Sequence, residues 1–185
     1  MLRRLSAGIS WFECWLAAGL AGLLTLLILV NVITRALSMP IYWVDELAIF
    51  CMVWMTFLAT TVVIKRRQTL SVTLVLDLLP TTPKKWLILF SDLMVLLFAG
   101  LLIYFCLLWF QPITLIKSSF EFSAFQMETF NFIYSESTNT LGVKKFWVWL
   151  IMPWVALSLV LHASVNLWDS TTDLLTAKRQ GSHEC

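Results

Sequence analysis

The sequence predicts an all-α integral membrane protein with four transmembrane helices, a short interfacial amphipathic helix and both termini in the cytoplasm. Three observations predict it. Of the 185 residues, 59% are hydrophobic and 13% charged, against about 45–50% and about 25% in a soluble domain. Four stretches reach the roughly 20 apolar residues that a spanning helix needs. Most of the ten tryptophans fall near the ends of those stretches, as an aromatic belt at headgroup level requires. A soluble enzyme and a disordered chain are excluded, and the length leaves no room for a separate soluble domain. The formal net charge of +2 gives no reason to expect nucleic acid.

The first span covers about 12–34. Arg3 and Arg4 precede it, but the run is of span length and no small-residue cleavage site follows, so it reads as an uncut helix. Glu13 stands at its edge. The second span, about 41–64, carries Asp45 and Glu46 in its first turn and ends in Lys65, Arg66 and Arg67. The segment 68–80 is too short to span; Leu70, Leu74, Asp77 and Leu78 suit an interfacial helix or a tight reentrant piece. The third span, about 86–110, is interrupted only by Asp92. The external loop 111–145 follows. Its Phe120, Phe122, Phe125, Phe130 and Phe132 predict that it dips into the interface or packs on another protein. The fourth span, about 146–168, contains His162, and Pro153 is placed to bend it.

Orientation follows from Lys and Arg. Nine lie in the two tails and the connection after the second span, and four lie on the other side. The positive-inside rule then places both termini in the cytoplasm of a multi-pass protein.

Few residues suggest chemistry. Asp92 and His162 each lie about six residues, or about 9 Å, from the cytoplasmic end of their spans. They are expected at one depth, hydrogen-bonded between helices as structural glue. A proton relay would need a chain of such groups. Arg35 faces Asp45 and Glu46 across a short external connection, where both acids also suit a helix N-terminus. On the second span Trp43, Phe50, Trp54 and Phe57 follow helical spacing as an aromatic stripe. Such a stripe suits lipid or the anchors of a partner bundle. Lys65, Arg66 and Arg67 read as an anchor beside anionic headgroups. Cys14, Cys51, Cys106 and Cys185 form no CxxC pattern. Haem b between two histidines would need a second intramembrane histidine. The reading that competes with a non-enzymatic subunit is a four-helix redox enzyme, or an autonomous small carrier, using Asp92 and His162.

The stretch from Ile41 to Pro80 carries W-x-[DE]-E (Trp43, Asp45, Glu46), then W-x-x-F-L (Trp54, Phe57, Leu58). The basic run Lys65-Arg66-Arg67 follows, and then an apolar segment ending in Leu79-Pro80. With Thr140-Leu141-Gly142-Val143 leading to Trp147, Trp149 and Pro153, it resembles the small membrane subunit of tripartite ATP-independent periplasmic (TRAP) transporters. Ala59 and Lys144 stand where that family usually has Gly and Pro.

The resemblance implies a subunit of the bacterial inner membrane, in contact with lipid, that scaffolds a large sodium-coupled transport subunit. It also implies help in docking a periplasmic substrate-binding protein for organic-acid uptake. No catalytic residue, cofactor or metal is then expected in this chain, and sodium belongs to the large partner. Trp43, Phe50, Trp54 and Phe57 become the expected subunit contact, and Arg35, Asp45 and Glu46 the expected docking face.

Overall fold

The computed structural model describes residues 1–67, 79–118 and 120–181. The segment 68–80, expected as an interfacial helix, lies outside the described residues apart from its last two positions. Four long helices form: α1 (Leu2–Ala36), α2 (Tyr42–Arg66), α3 (Thr81–Phe110) and α7 (Ile151–Gly181). Three short ones, α4 (Pro112–Lys117), α5 (Phe122–Thr129) and α6 (Lys145–Trp149), belong to the connection between α3 and α7. Among the described residues there is no strand beyond one isolated bridge, Ser137 to Lys144. Four helices are long and apolar enough to cross a membrane.

The helices outrun their apolar cores. At 35 residues, α1 is about 52 Å long, well beyond a hydrocarbon layer of about 30 Å. It begins ten residues before the apolar run because its first turns are polar on one face, and that face is buried through Ser6, Ser10 and Glu13. α7 likewise continues past Trp168 to Gly181. The break between α6 and α7 precedes Pro153, whose ring removes a helical N–H.

The long helices pair as two hairpins, α1 with α2 and α3 with α7, and α7 then packs on α2 and α1. The stretch Lys145–Thr176, which holds α6 and most of α7, is the most enclosed: 44% of its most apolar part is buried, against 6% in α1. Ala17, Leu58, Ala99, Ile151, Val155 and Leu159 form the central core, one cluster fed by all four long helices. Leu27, Val44 and Cys51 continue it between α1 and α2.

The connection 111–145 forms an ordered cap. Gln111, in the left-handed region at φ 41°, ends α3 and turns the chain into α4. Phe125, Ile133 and Tyr134 are buried against Cys106 and Phe110 at the end of α3. Tyr134 stacks on Phe122 at 5.7 Å, meets Phe125 edge-on at 5.2 Å, and donates its hydroxyl to the Phe110 carbonyl at 2.7 Å. Burial raises the pKa of that phenol. Part of the aromatic segment is therefore consumed inside the chain, which neither expectation for this loop foresaw. Phe120, Phe130 and Phe132 remain exposed.

Candidate functional site

Polar side chains gather at both ends of the bundle and clamp helices together. At the end away from the termini, Arg35 Nη2 lies 2.6 Å from Asp45 Oδ2. Asn31 accepts from Arg35 Nε at 2.9 Å and donates its amide to the other Asp45 oxygen. The α1–α2 corner is thus closed by an exposed ion pair with a shared amide.

Glu46 faces the other way. Its carboxylate accepts the backbone N–H groups of Asn139 (2.8 Å), Thr140 (2.7 Å) and Leu141 (3.0 Å), and the Thr140 hydroxyl at 2.5 Å. Gly142 at φ 68° lets the chain turn back beneath this cradle, a conformation glycine adopts without a Cβ penalty. The N–H of Thr138 then bonds the Val143 carbonyl at 2.8 Å. One turn pair deeper, Trp54 Nε1 donates to the Val148 carbonyl at 2.8 Å. The two distant stretches that carry the family resemblance therefore meet in space, Glu46 holding Thr140-Leu141 and Trp54 holding the helix that follows.

The aromatic stripe of α2 divides. Trp43 is 46% exposed. Phe50 and Trp54 line a groove of about 360 Å³ together with Leu20, Leu141 and Trp147. Phe57 and Trp54 pack on the central core. Trp54 and Phe57 thus serve the chain's own interior more than an outer face.

At the termini end, Arg67 ends α2 in the left-handed region at φ 52°. Its guanidinium turns inward, 2.7 Å from Asp92 Oδ2 on α3 and donating to the Asn166 carbonyl (2.6 Å) and Ser170 Oγ (2.7 Å) on α7. Ser170 donates to the same Asp92 oxygen at 2.5 Å, and Asn166 Nδ2 reaches the Ile64 carbonyl at 3.2 Å. Arg67 is therefore a cross-link among three helices, which corrects its reading as a headgroup anchor. The left-handed residue is tolerated because three partners fix its side chain. Arg66 stays exposed, 3.6 Å from Cys14 Sγ, and Lys65 precedes it on the last turn of α2.

The expected pairing of Asp92 with His162 is not formed. Asp92 lies eleven residues from the start of α3 at Thr81, and Ser170 lies eleven from the end of α7 at Gly181. His162 is eight residues deeper, about 12 Å along the axis. Counting depth from Trp168, where the apolar run stops, places it two turns too shallow.

His162 instead meets α1. Ser6 Oγ is 2.8 Å from His162 Nδ1, and Glu13 Oε2 is 3.4 Å from His162 Nε2. Thr61 of α2 donates to Glu13 Oε2 at 2.8 Å. Ser6, Glu13, Thr61 and His162 are fully buried. Glu13, which looks like an edge residue in the sequence, and Ser6 escape sequence reasoning. The available signal is the spacing of Ser6, Ser10, Glu13 and Ala17, a small-and-polar stripe at helical period that starts before the apolar run. Arg3 adds an exposed pair with Asp169. Among the described residues, no group of His, Cys, Asp and Glu is placed to hold a metal ion.

Four long apolar helices, cross-bonded at both ends by polar side chains, define a multi-pass helical membrane protein. Residues 24–173 match the family model of tripartite ATP-independent periplasmic transporters, DctQ component. The chain belongs to that family: it is the small permease subunit of a TRAP transporter, a transport component and not an enzyme. Such a subunit works in a tripartite system with a large membrane subunit and a periplasmic binding protein. A comparison with curated proteins gave no match. The redox-enzyme reading falls with the family, and the Asp92–His162 pair on which it and the carrier reading rested is absent.

Proposed function

We propose that this subunit is a fixed scaffold in the bacterial inner membrane, with both termini cytoplasmic. The large, sodium-coupled subunit moves substrate against it. The observation that carries the reading is the contrast between a locked interior and open apolar flanks. Hydrogen bonds join α1 to α2, α1 to α7, α2 to α3 and α2 to α7. The outer faces of α1 (Leu26, Leu29, Ile33) and α3 (Leu97, Leu101, Leu108) remain exposed and are suited to lipid or to a larger partner. A rigid body with apolar sides gives a partner a wide, fixed counterpart.

On this reading Trp43 and Phe50 belong to the contact with the large subunit, with Trp54 and Phe57 bracing them from behind. Arg35, Asp45 and Glu46 set the periplasmic corner where the binding protein docks. Glu46 acts there by shaping the 139–141 turn, because its own oxygens are engaged. Organic acids are the proposed cargo, and sodium and substrate sites belong to the large subunit.

The test is uptake in membrane vesicles by the assembled transporter with Trp43→Ala and Phe50→Ala, followed by co-purification. Weaker co-purification and reduced uptake are expected together. Reduced uptake from a fully assembled complex would speak for a direct role in transport.

A further inference from the structure

Five buried polar residues converge where α1, α2 and α7 meet: Ser6, Glu13, Thr61, Ser158 and His162. Two of the five, Ser6 and Glu13, precede the matched residues 24–173. With the Ser6 hydroxyl donating to Nδ1 and Nε2–H facing Glu13, a neutral imidazole has both ring nitrogens satisfied. An ionised Glu13 is then a buried charge with no opposite charge beside it among the described residues, an expensive state in a membrane-embedded bundle. Two buried atoms here have no partner, Glu13 Oε1 and Ser158 Oγ, and Ser158 faces the Glu13 carboxyl.

A single added proton removes the uncompensated charge. On Glu13 Oε1 it makes a neutral acid whose O–H can donate to Ser158. On His162 it makes the contact with Glu13 an ion pair, with Nδ1–H donating to Ser6. Carboxylate, imidazole and one proton from water give a neutral site either way, and no group leaves. Of the groups that face it, α1 supplies Glu13 and the hydroxyl of Ser6. α2 supplies the uncharged Thr61, and α7 supplies His162 and Ser158. The charges of Arg67 and Asp92 satisfy one another at Ser170, two turns along α7.

We propose that Glu13 and His162 hold one proton between them at neutral pH, making the α1–α2–α7 junction a proton-binding site that ties α1 to α7. The chain has two histidines, at 162 and 183, so His183→Asn leaves His162 as the only imidazole. The experiment is nitrogen-15 spectroscopy of His162 and carbon-13 spectroscopy of glutamate carboxyls, on the full chain in lipid nanodiscs between pH 6 and 8.

The expected result is either an imidazolium at His162 or a protonated glutamate. The signal should be unchanged across that range and absent in Glu13→Gln, which should leave a neutral imidazole. A neutral His162 beside fully ionised glutamates at pH 7 overturns the proposal. So does a His162 that titrates near the free imidazole value of about 6.5. If Glu13→Gln does not fold, the spectra of the protein with Glu13 intact decide between these outcomes by themselves.

Discussion

Arg67 shows how one side chain changes meaning between sequence and structure. In a Lys-Arg-Arg run it looks like a topology anchor, yet it bonds Asp92, Asn166 and Ser170 and closes three helices on one another. Replacing it with methionine leaves Asp92, about 10% exposed, without its counter-charge. Interhelical polar contacts in membranes are worth about 0.6–1.7 kcal/mol, and breaking a buried pair from one side costs more than the pair contributes. Arg67→Met should lower stability by about 1–2 kcal/mol, and Asp92→Asn added to it should recover part of the loss. Thermal unfolding of the three proteins in one detergent checks this, and additive losses would refute the coupling. Tyr134→Phe should cost about 1 kcal/mol in the same assay by leaving the Phe110 carbonyl without its donor.

At the scale of elements, the apolar runs were legible because a lipid-facing helix must be apolar for most of its circumference. The four long helices and the loop between the third and fourth followed from that. The ends did not, because Leu2–Trp11 and residues 169–181 are rich in polar residues, so the apolar runs stop before the helices do. The depth of His162 is misjudged from sequence for that reason, and Glu13 reads as peripheral.

The meeting of Glu46 with residues 139–141 was equally hidden. It joins positions more than ninety residues apart and depends on a left-handed Gly142. Its consequence is testable at the same scale. Glu46→Gln replaces a charged acceptor of three N–H groups with a weaker, half-donating amide. Amide exchange at Asn139, Thr140 and Leu141 should then accelerate, while the α3 core exchanges as before. Unchanged exchange at those three positions would remove Glu46 from the cradle. Trp54→Phe keeps the ring and removes the bond to Val148, so it should loosen α6 with little effect on the helices at the termini end.

At the scale of the whole molecule, the two hairpins are bonded to each other at the termini end by Ser6, Glu13, Arg67 and Asn166, and at the other end by Glu46 and Trp54. A body tied at both ends has little freedom to open a path through itself, and its exposed flanks are apolar. The proposed scaffold role rests on these bonds. Arg3 on α1 and Asp169 on α7 are an exposed contact pair, and cysteines at both positions would allow a covalent bridge between the hairpins once the native cysteines are replaced. The most direct measurement is substrate uptake by the complete three-part transporter in membrane vesicles, before and after that bridge is closed with a thiol cross-linker. A fixed scaffold predicts uptake unchanged within about twofold while the complex stays assembled. Uptake that stops on bridging and returns when the bridge is cleaved would show that this subunit must move, and would contradict the scaffold.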